Sequence, residues 1–181
     1  MSTDCPQIET TDWNAKTSAY AYHLRKIHWS IFGCVDYASP AYRNINRTGL
    51  RIQAMQRILS GICQTFRLRT KNIWFFSSTE ITEAGSAHNH FLIGFRRPPI
   101  HPTQTICDQI NYDWKKVMKP RGRSRSGMGG IKVEPYDYSY GNGGVDYVTK
   151  WEFGERGQLD RQDYCNHALQ KKLFLLSREE S

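Results

Sequence analysis

Apolar positions along the chain change period several times, and each change marks an element. His28 to Tyr37 is β-rich and half alternating, which predicts a first strand. From Gly49 to Phe66, Leu50, Ala54, Met55, Ile58, Leu59, Ile62, Cys63 and Phe66 recur at helical spacing. Arg51, Arg57 and Gln64 are placed off that stripe, so the segment reads as an amphipathic helix resting on a sheet. Asn72 to Glu80 predicts a second strand and His88 to Phe95 a third, with a short Gly85-containing connection that makes them an antiparallel pair. Pro98, Pro99 and Pro102 then punctuate the chain before a helix over about Thr103 to Met118. Ile131 to Tyr136 follows as a fourth strand. Val145 to Phe153 reads as a short helix, and about Asp160 to Leu176 as a last amphipathic one.

The order is β-α-β-β-α-β followed by helices. It predicts an α+β, ferredoxin-like fold: a central antiparallel sheet with helices packed mainly on one face and the other face left for a site. Residues 1 to about 20 form a polar N-terminal segment, and residues 1–181 are expected to make a single domain.

Composition narrows the partners. Hydrophobic residues make up 39% and aromatics 13%, a globular balance and not a disordered one. Lys and Arg number 25 against 17 Asp and Glu, a net charge of +8, which favours a polyanion such as nucleic acid. The cysteines at 5, 34, 63, 107 and 165 are odd in number and form no CxxC pair. They predict reduced, mostly buried thiols in a cytoplasmic setting (nuclear, for a eukaryotic virus), not a disulfide framework or a zinc knuckle. No stretch approaches 18 apolar residues and the start lacks a leader-like apolar core, so neither a membrane span nor secretion is expected.

The candidate chemistry centres on His88-Asn89-His90 at the start of the third strand. Side chains alternate along a strand, so both imidazoles point to one face. Burying two imidazoles beside Phe91 and Ile93 without partners is costly. Glu80, at the end of the neighbouring antiparallel strand, can bring a carboxylate beside them; Glu83, in the loop, is the rival third ligand. Two imidazoles and one carboxylate leave open coordination positions and suit Mn²⁺ or Mg²⁺ as well as Zn²⁺. Further on, Tyr147 and Lys150 lie three apart, on one helical face. A phenol is a weak nucleophile at neutral pH, and a nearby ammonium or metal favours its phenolate.

Together these segments resemble the HUH endonuclease superfamily in its replication-initiator (Rep) branch, over about residues 28 to 153. Trp29 to Tyr37 (WSIFGCVDY) looks like the first-strand motif. Trp74 to Glu80 (WFFSSTE), a Gly-containing loop, and Ala87 to Phe95 (AHNHFLIGF) look like the acidic residue and the metal-binding motif. Gly143 to Trp151 (GGVDYVTKW) looks like the Tyr-x-x-Lys motif. The histidines precede the tyrosine, as in Rep proteins; in relaxases the nucleophile comes first. Two departures are visible. Asn89 stands where a bulky apolar residue is usual between the histidines, and Trp151 stands near the position of a second tyrosine, which suggests a one-tyrosine enzyme.

The resemblance implies that Glu80, His88 and His90 hold a divalent metal, Mn²⁺ or Mg²⁺. Tyr147 would attack the scissile phosphate of single-stranded DNA or an origin hairpin, and Lys150 would stabilise the phenolate or orient the phosphate. A 5′-phosphotyrosine adduct and a free 3′-OH that primes rolling-circle synthesis would result. No GxxxxGK[ST] is present, so no P-loop helicase domain is expected in these residues, and a separate helicase and polymerase become the expected partners. No small-molecule cofactor is indicated.

Lys115 to Val133 holds seven Lys or Arg and no acidic residue. Lys119, Arg121, Arg123 and Arg125 alternate with Pro, Gly and Ser, and read either as a phosphate-binding loop or as a solvated one. Two other functions are open. One is a transposase of the same superfamily, cutting and rejoining element ends. The other is a non-catalytic basic nucleic-acid-binding module with structural histidines, against which the sheet's lack of an aromatic RNP pattern counts.

Overall fold

A computed structural model describes residues 21–37, 43, 48–81, 87–117, 129–141, 143–149 and 164–178. The N-terminal segment 1–20, Glu83, the basic residues Lys119, Arg121, Arg123 and Arg125, and Lys150 with Trp151 lie outside them. The architecture is α+β, built on a five-stranded antiparallel sheet. The strands are β1 (Ile31–Asp36), β2 (Ile73–Ile81), β3 (Ala87–Phe95), β4 (Ile131–Pro135) and β5 (Tyr164–Cys165). The helices are α1 (Thr48–Thr65), α2 (Thr103–Val117), α3 (Gly143–Thr149) and α4 (His167–Arg178), with a further helical turn over 21–25.

The sheet order is β4-β1-β3-β2-β5. Strand β3 sits between β1 and β2, and β1 sits between β3 and β4. Helix α1 thus joins strands one place apart, and so does α2, an arrangement consistent with a ferredoxin-like α+β plan. The two-residue β5 is an addition at the β2 edge. It falls where the sequence predicts the start of a helix over 160–176, and that helix begins only at His167. Asn166 explains the late start. Its Oδ1 accepts from Leu169 N (3.1 Å), as a helix N-cap does, and from Phe75 N (3.2 Å), while its Nδ2 donates to Ile73 O (2.8 Å). One buried side chain therefore caps α4 and fastens it to β2.

Alternation divides the sheet into two faces. On one, Ile31, Val35, Phe75, Phe91 and Ile93 pack against Met55, Ile58 and Ile62 of α1 and Ile106, Ile110 and Trp114 of α2. Gly33 lies under the Phe91 ring, where an added Cβ would come within 2.1 Å of ring carbon. Arg51 belongs to this buried side too, at 1% exposure, and not off the apolar stripe as the spacing suggested. Positions 51, 55, 58 and 62 share one helical face, so burial of Met55 and Ile58 carries Arg51 inward with them. Helix α1 ends with Leu68 N bonded to Cys63 O (3.0 Å) and Arg67 at φ 51°, a Schellman-type stop with a non-glycine residue in the left-handed position.

The other face is not left bare, contrary to the expectation of helices mainly on one side. Phe76, Leu92 and Cys165 are covered by Leu24, Ile27 and Trp29, by Val145 and Val148 of α3, and by Leu169, Leu173 and Leu176 of α4. These short, mostly late elements carry too few apolar positions for periodicity to reveal which face they cover. Trp29 and Tyr136 are buried in this layer. Tyr138 is half exposed, with its hydroxyl accepting from Trp29 N (2.7 Å) and donating to Trp29 O (2.9 Å).

Candidate metal centre

The predicted histidines lie on this second face, beyond Leu92 in the direction of the β2–β3 turn. Register sets Glu80 opposite His88 and Ser78 opposite His90. Cross-strand neighbours and their diagonals on one face are within side-chain reach. The result is a triangle of polar atoms: His90 Nε2 to Glu80 Oε2 is 2.8 Å, His88 Nε2 to Glu80 Oε2 is 3.2 Å, and His88 Nε2 to His90 Nε2 is 3.0 Å. The side chains are well shielded, at 13% exposure for His88, 4% for His90 and 11% for Glu80.

This geometry fits a divalent cation. Three donors each about 2.1 Å from one ion and at right angles to each other stand about 3.0 Å apart, the average edge found here. In the tautomer that metal ligation requires, with both Nε2 atoms unprotonated, the two imidazoles and the carboxylate oxygen turn their lone pairs to one point, where a cation is favoured. His88 Nδ1 is buried with no hydrogen-bond partner among the described residues. A ligating imidazole ordinarily donates from its second nitrogen to a neighbour, so this atom marks where the cradle is thinnest.

One donor was not anticipated. Cys34 of β1 pairs with His90 in register, and its Sγ lies with the ligating atoms of His88 and His90 in a group all within 4.8 Å of one another. Cys34, His88 and His90 thus form a cluster able to hold a metal ion. No CxxC spacing signals such a cysteine. Only the pairing of β1 with β3 reveals it.

Asn89, between the histidines, points to the opposite face and is 2% exposed. Its Oδ1 accepts from Tyr37 Oη (2.8 Å), and its Nδ2 contacts Ser77 Oγ (3.1 Å), Ser78 O (3.1 Å) and Thr79 Oγ1 (3.0 Å). A polar side chain is accommodated beneath the histidines because its polar atoms are met from β2 and from Tyr37, just past the end of β1.

Compared with known proteins, the chain matches no family model, no curated protein and no solved structure. The functional reading therefore rests on motif order and on geometry.

Tyr147 meets the centre from α3. Its ring stands edge-on to His90 at 4.8 Å between centroids and to Phe32 at 6.0 Å, and it is 42% exposed. The helix is fixed from three sides. Val145 and Val148 enter the apolar layer, Val145 N donates to Tyr136 Oη (3.2 Å), and Arg25 donates twice to Asp146 Oδ1 (2.6 and 2.8 Å). Gly144 permits the close approach, since a Cβ there would come within 2.5 Å of the Tyr136 ring. Burial raises the Tyr136 phenol above its ordinary value, despite bonds from the Val145 and Gly144 backbone that lower it, so Tyr136 stays neutral as a structural post.

Glu80, His88, His90 and the Tyr147 ring are thus brought together; Lys150 and the four basic loop residues lie outside the described region. A small groove between α1 and α2 lies on the far face, lined by Ala54, Ile58, Ile62, Ile110 and Trp114 together with Arg57, Gln109 and Asp113. Gln109 Nε2 donates to Asp113 Oδ1 there (2.9 Å), and the groove holds no histidine or cysteine, so it reads as a helix–helix seam and the chemistry is assigned to the histidine face.

Proposed function

We propose that this chain is a metal-dependent single-stranded DNA nickase and strand-transferase of the HUH type that initiates rolling-circle replication. The observation that carries the reading is the Glu80–His88–His90 triangle with the Tyr147 ring standing on His90. The β4-β1-β3-β2 order supports it by setting the histidine strand at the centre of the sheet. The net charge of +8 supports a polyanionic substrate.

A divalent cation held by Glu80, His88 and His90 would act as a Lewis acid on the scissile phosphate. The Tyr147 phenolate oxygen attacks phosphorus. The new P–O(Tyr) bond forms as the P–O3′ bond breaks, and the departing 3′-oxygen takes a proton to become a 3′-OH. The 5′-phosphate remains on Tyr147. Attack by a 3′-OH on that phosphotyrosine reverses the step and joins strands. Lys150, three residues on, supplies positive charge for the phenolate or phosphate, and Lys119, Arg121, Arg123 and Arg125 contact the DNA backbone. The Arg25–Asp146 bridge positions the helix that bears the nucleophile.

The test is incubation with labelled single-stranded DNA from the origin of the chain's own replicon and Mn²⁺, followed by denaturing gels. An SDS-resistant protein–DNA adduct is expected, dependent on metal and lost in Tyr147→Phe. Adduct formation by Tyr147→Phe would overturn the nucleophile assignment. Salt-sensitive DNA binding with no cleavage of any origin strand would favour a non-catalytic binding module.

A further inference from the structure

His88 and His90 face two donors of opposite chemical character. Glu80 presents a hard carboxylate oxygen 2.8 Å and 3.2 Å from their Nε2 atoms. Cys34, directly across β1 from His90, presents a half-buried sulfur within 4.8 Å of both imidazoles. Mg²⁺ and Mn²⁺ favour oxygen, with Mn²⁺ the readier of the two to accept imidazole, and gain little from a thiolate, whereas Zn²⁺ and Co²⁺ bind thiolate strongly and accept tetrahedral geometry. Both imidazoles are shared by the two donor sets, so the identity of the metal decides whether the sulfur is recruited.

We propose that Cys34 is a fourth, soft ligand that closes the centre around Zn²⁺. With Zn²⁺, the donors are Glu80 oxygen, two imidazole nitrogens and the Cys34 sulfur. The thiol releases its proton to solvent as the S–Zn bond forms. Four protein donors complete a tetrahedral shell of the kind found in structural zinc sites and leave no position for a phosphate oxygen. With Mn²⁺ or Mg²⁺, Cys34 stays outside the shell and positions remain open. Zn²⁺ is thus a blocking ion at this centre. The inference rests on the metal-site reading above and adds a regulator to it.

The test uses the full chain, Co²⁺ as the optical probe, and titrations with Zn²⁺ and Mn²⁺. The expected wild-type spectrum has visible ligand-field bands together with a near-ultraviolet thiolate-to-cobalt charge-transfer band. In Cys34→Ser the charge-transfer band vanishes while ligand-field bands remain. Zn²⁺ affinity drops at least roughly tenfold and Mn²⁺ affinity stays within about twofold. Zn²⁺ also protects Cys34 from alkylation, read by peptide mass spectrometry, and Mn²⁺ does not. Ligand-field bands without a charge-transfer band in the wild type, or a charge-transfer band that survives in Cys34→Ser, would overturn the role of Cys34 and leave the Glu80–His88–His90 centre standing. Failure of the wild type to take up Co²⁺ would remove both.

Discussion

Strand β3 presents two opposite solutions to the same problem, polar side chains inside a folded protein. On the α1–α2 face, Asn89 is buried and its amide meets Tyr37, Ser77, Ser78 and Thr79. One residue to either side, His88 and His90 turn their Nε2 atoms towards each other and towards Glu80. The first network closes on the protein itself and specifies the register of three strands. The second closes on a point in space where an ion fits. A polar cluster whose atoms are fully met within the chain contributes to stability; one whose nitrogen and oxygen atoms converge on a single point also offers a cation a place.

Mutations should separate the two faces. The largest effect is expected from His90→Ala. Mn²⁺ affinity measured by calorimetry should fall by more than about 100-fold, because a direct ligand is lost and not merely a supporting contact. The metal-free protein should lose less stability than Asn89→Leu does. Equal loss of metal-free stability in His90→Ala and in Asn89→Leu would erase the distinction.

Asn89→Leu comes next. It leaves the buried Tyr37 hydroxyl and Ser77 without their amide partner and should cost about 2–4 kcal/mol in urea denaturation. Mn²⁺ affinity of the folded protein should persist. A third, smaller effect distinguishes metal-linked stability from intrinsic stability. Mn²⁺ at 100 times its dissociation constant should stabilise the wild type by about 2.7 kcal/mol and His90→Ala by much less.

The pH response adds a contribution outside the centre. Burial, with a smaller effect from Lys26, holds the folded His23 pKa below its ordinary value of 6.5. The unfolded chain therefore binds the His23 proton first. The contribution of neutral His23 is complete above about pH 6.5 and is lost as pH falls through the folded pKa. Metal-free denaturation at pH 7.5 and pH 5.5 should show a steeper acid loss in the wild type than in His23→Phe. The smallest effect is expected at Arg67, whose φ of 51° favours glycine: Arg67→Gly should raise stability by up to about 1 kcal/mol.

Much of this arrangement was legible in particular residues. The stripe from Ala54 to Ile62 marks α1, and the alternation around His88 and His90 puts both imidazoles on one face. The short β2–β3 connection makes Glu80 their neighbour, and the register bears this out by pairing Glu80 with His88. Other features were hidden because they depend on contacts distant in sequence. Arg51 is polar, but it shares a helical face with Met55 and Ile58. Asn166 reads as one more position of the helix expected over about 160–176 until β2 supplies Phe75 N and Ile73 O. Cys34 looks like a core thiol until β1 pairs with β3.

The sequence by itself determined the β-α-β-β-α-β order of the main elements, the basic charge and the two histidines on one strand face, because periodicity, composition and strand alternation are local properties. The tertiary structure decided which side chains are brought together around His88 and His90, how Asn89 is accommodated beneath them and where the Tyr147 helix docks. Those depend on strand register and on packing between residues far apart in the chain, and no local pattern encodes the distance between β1 and β3.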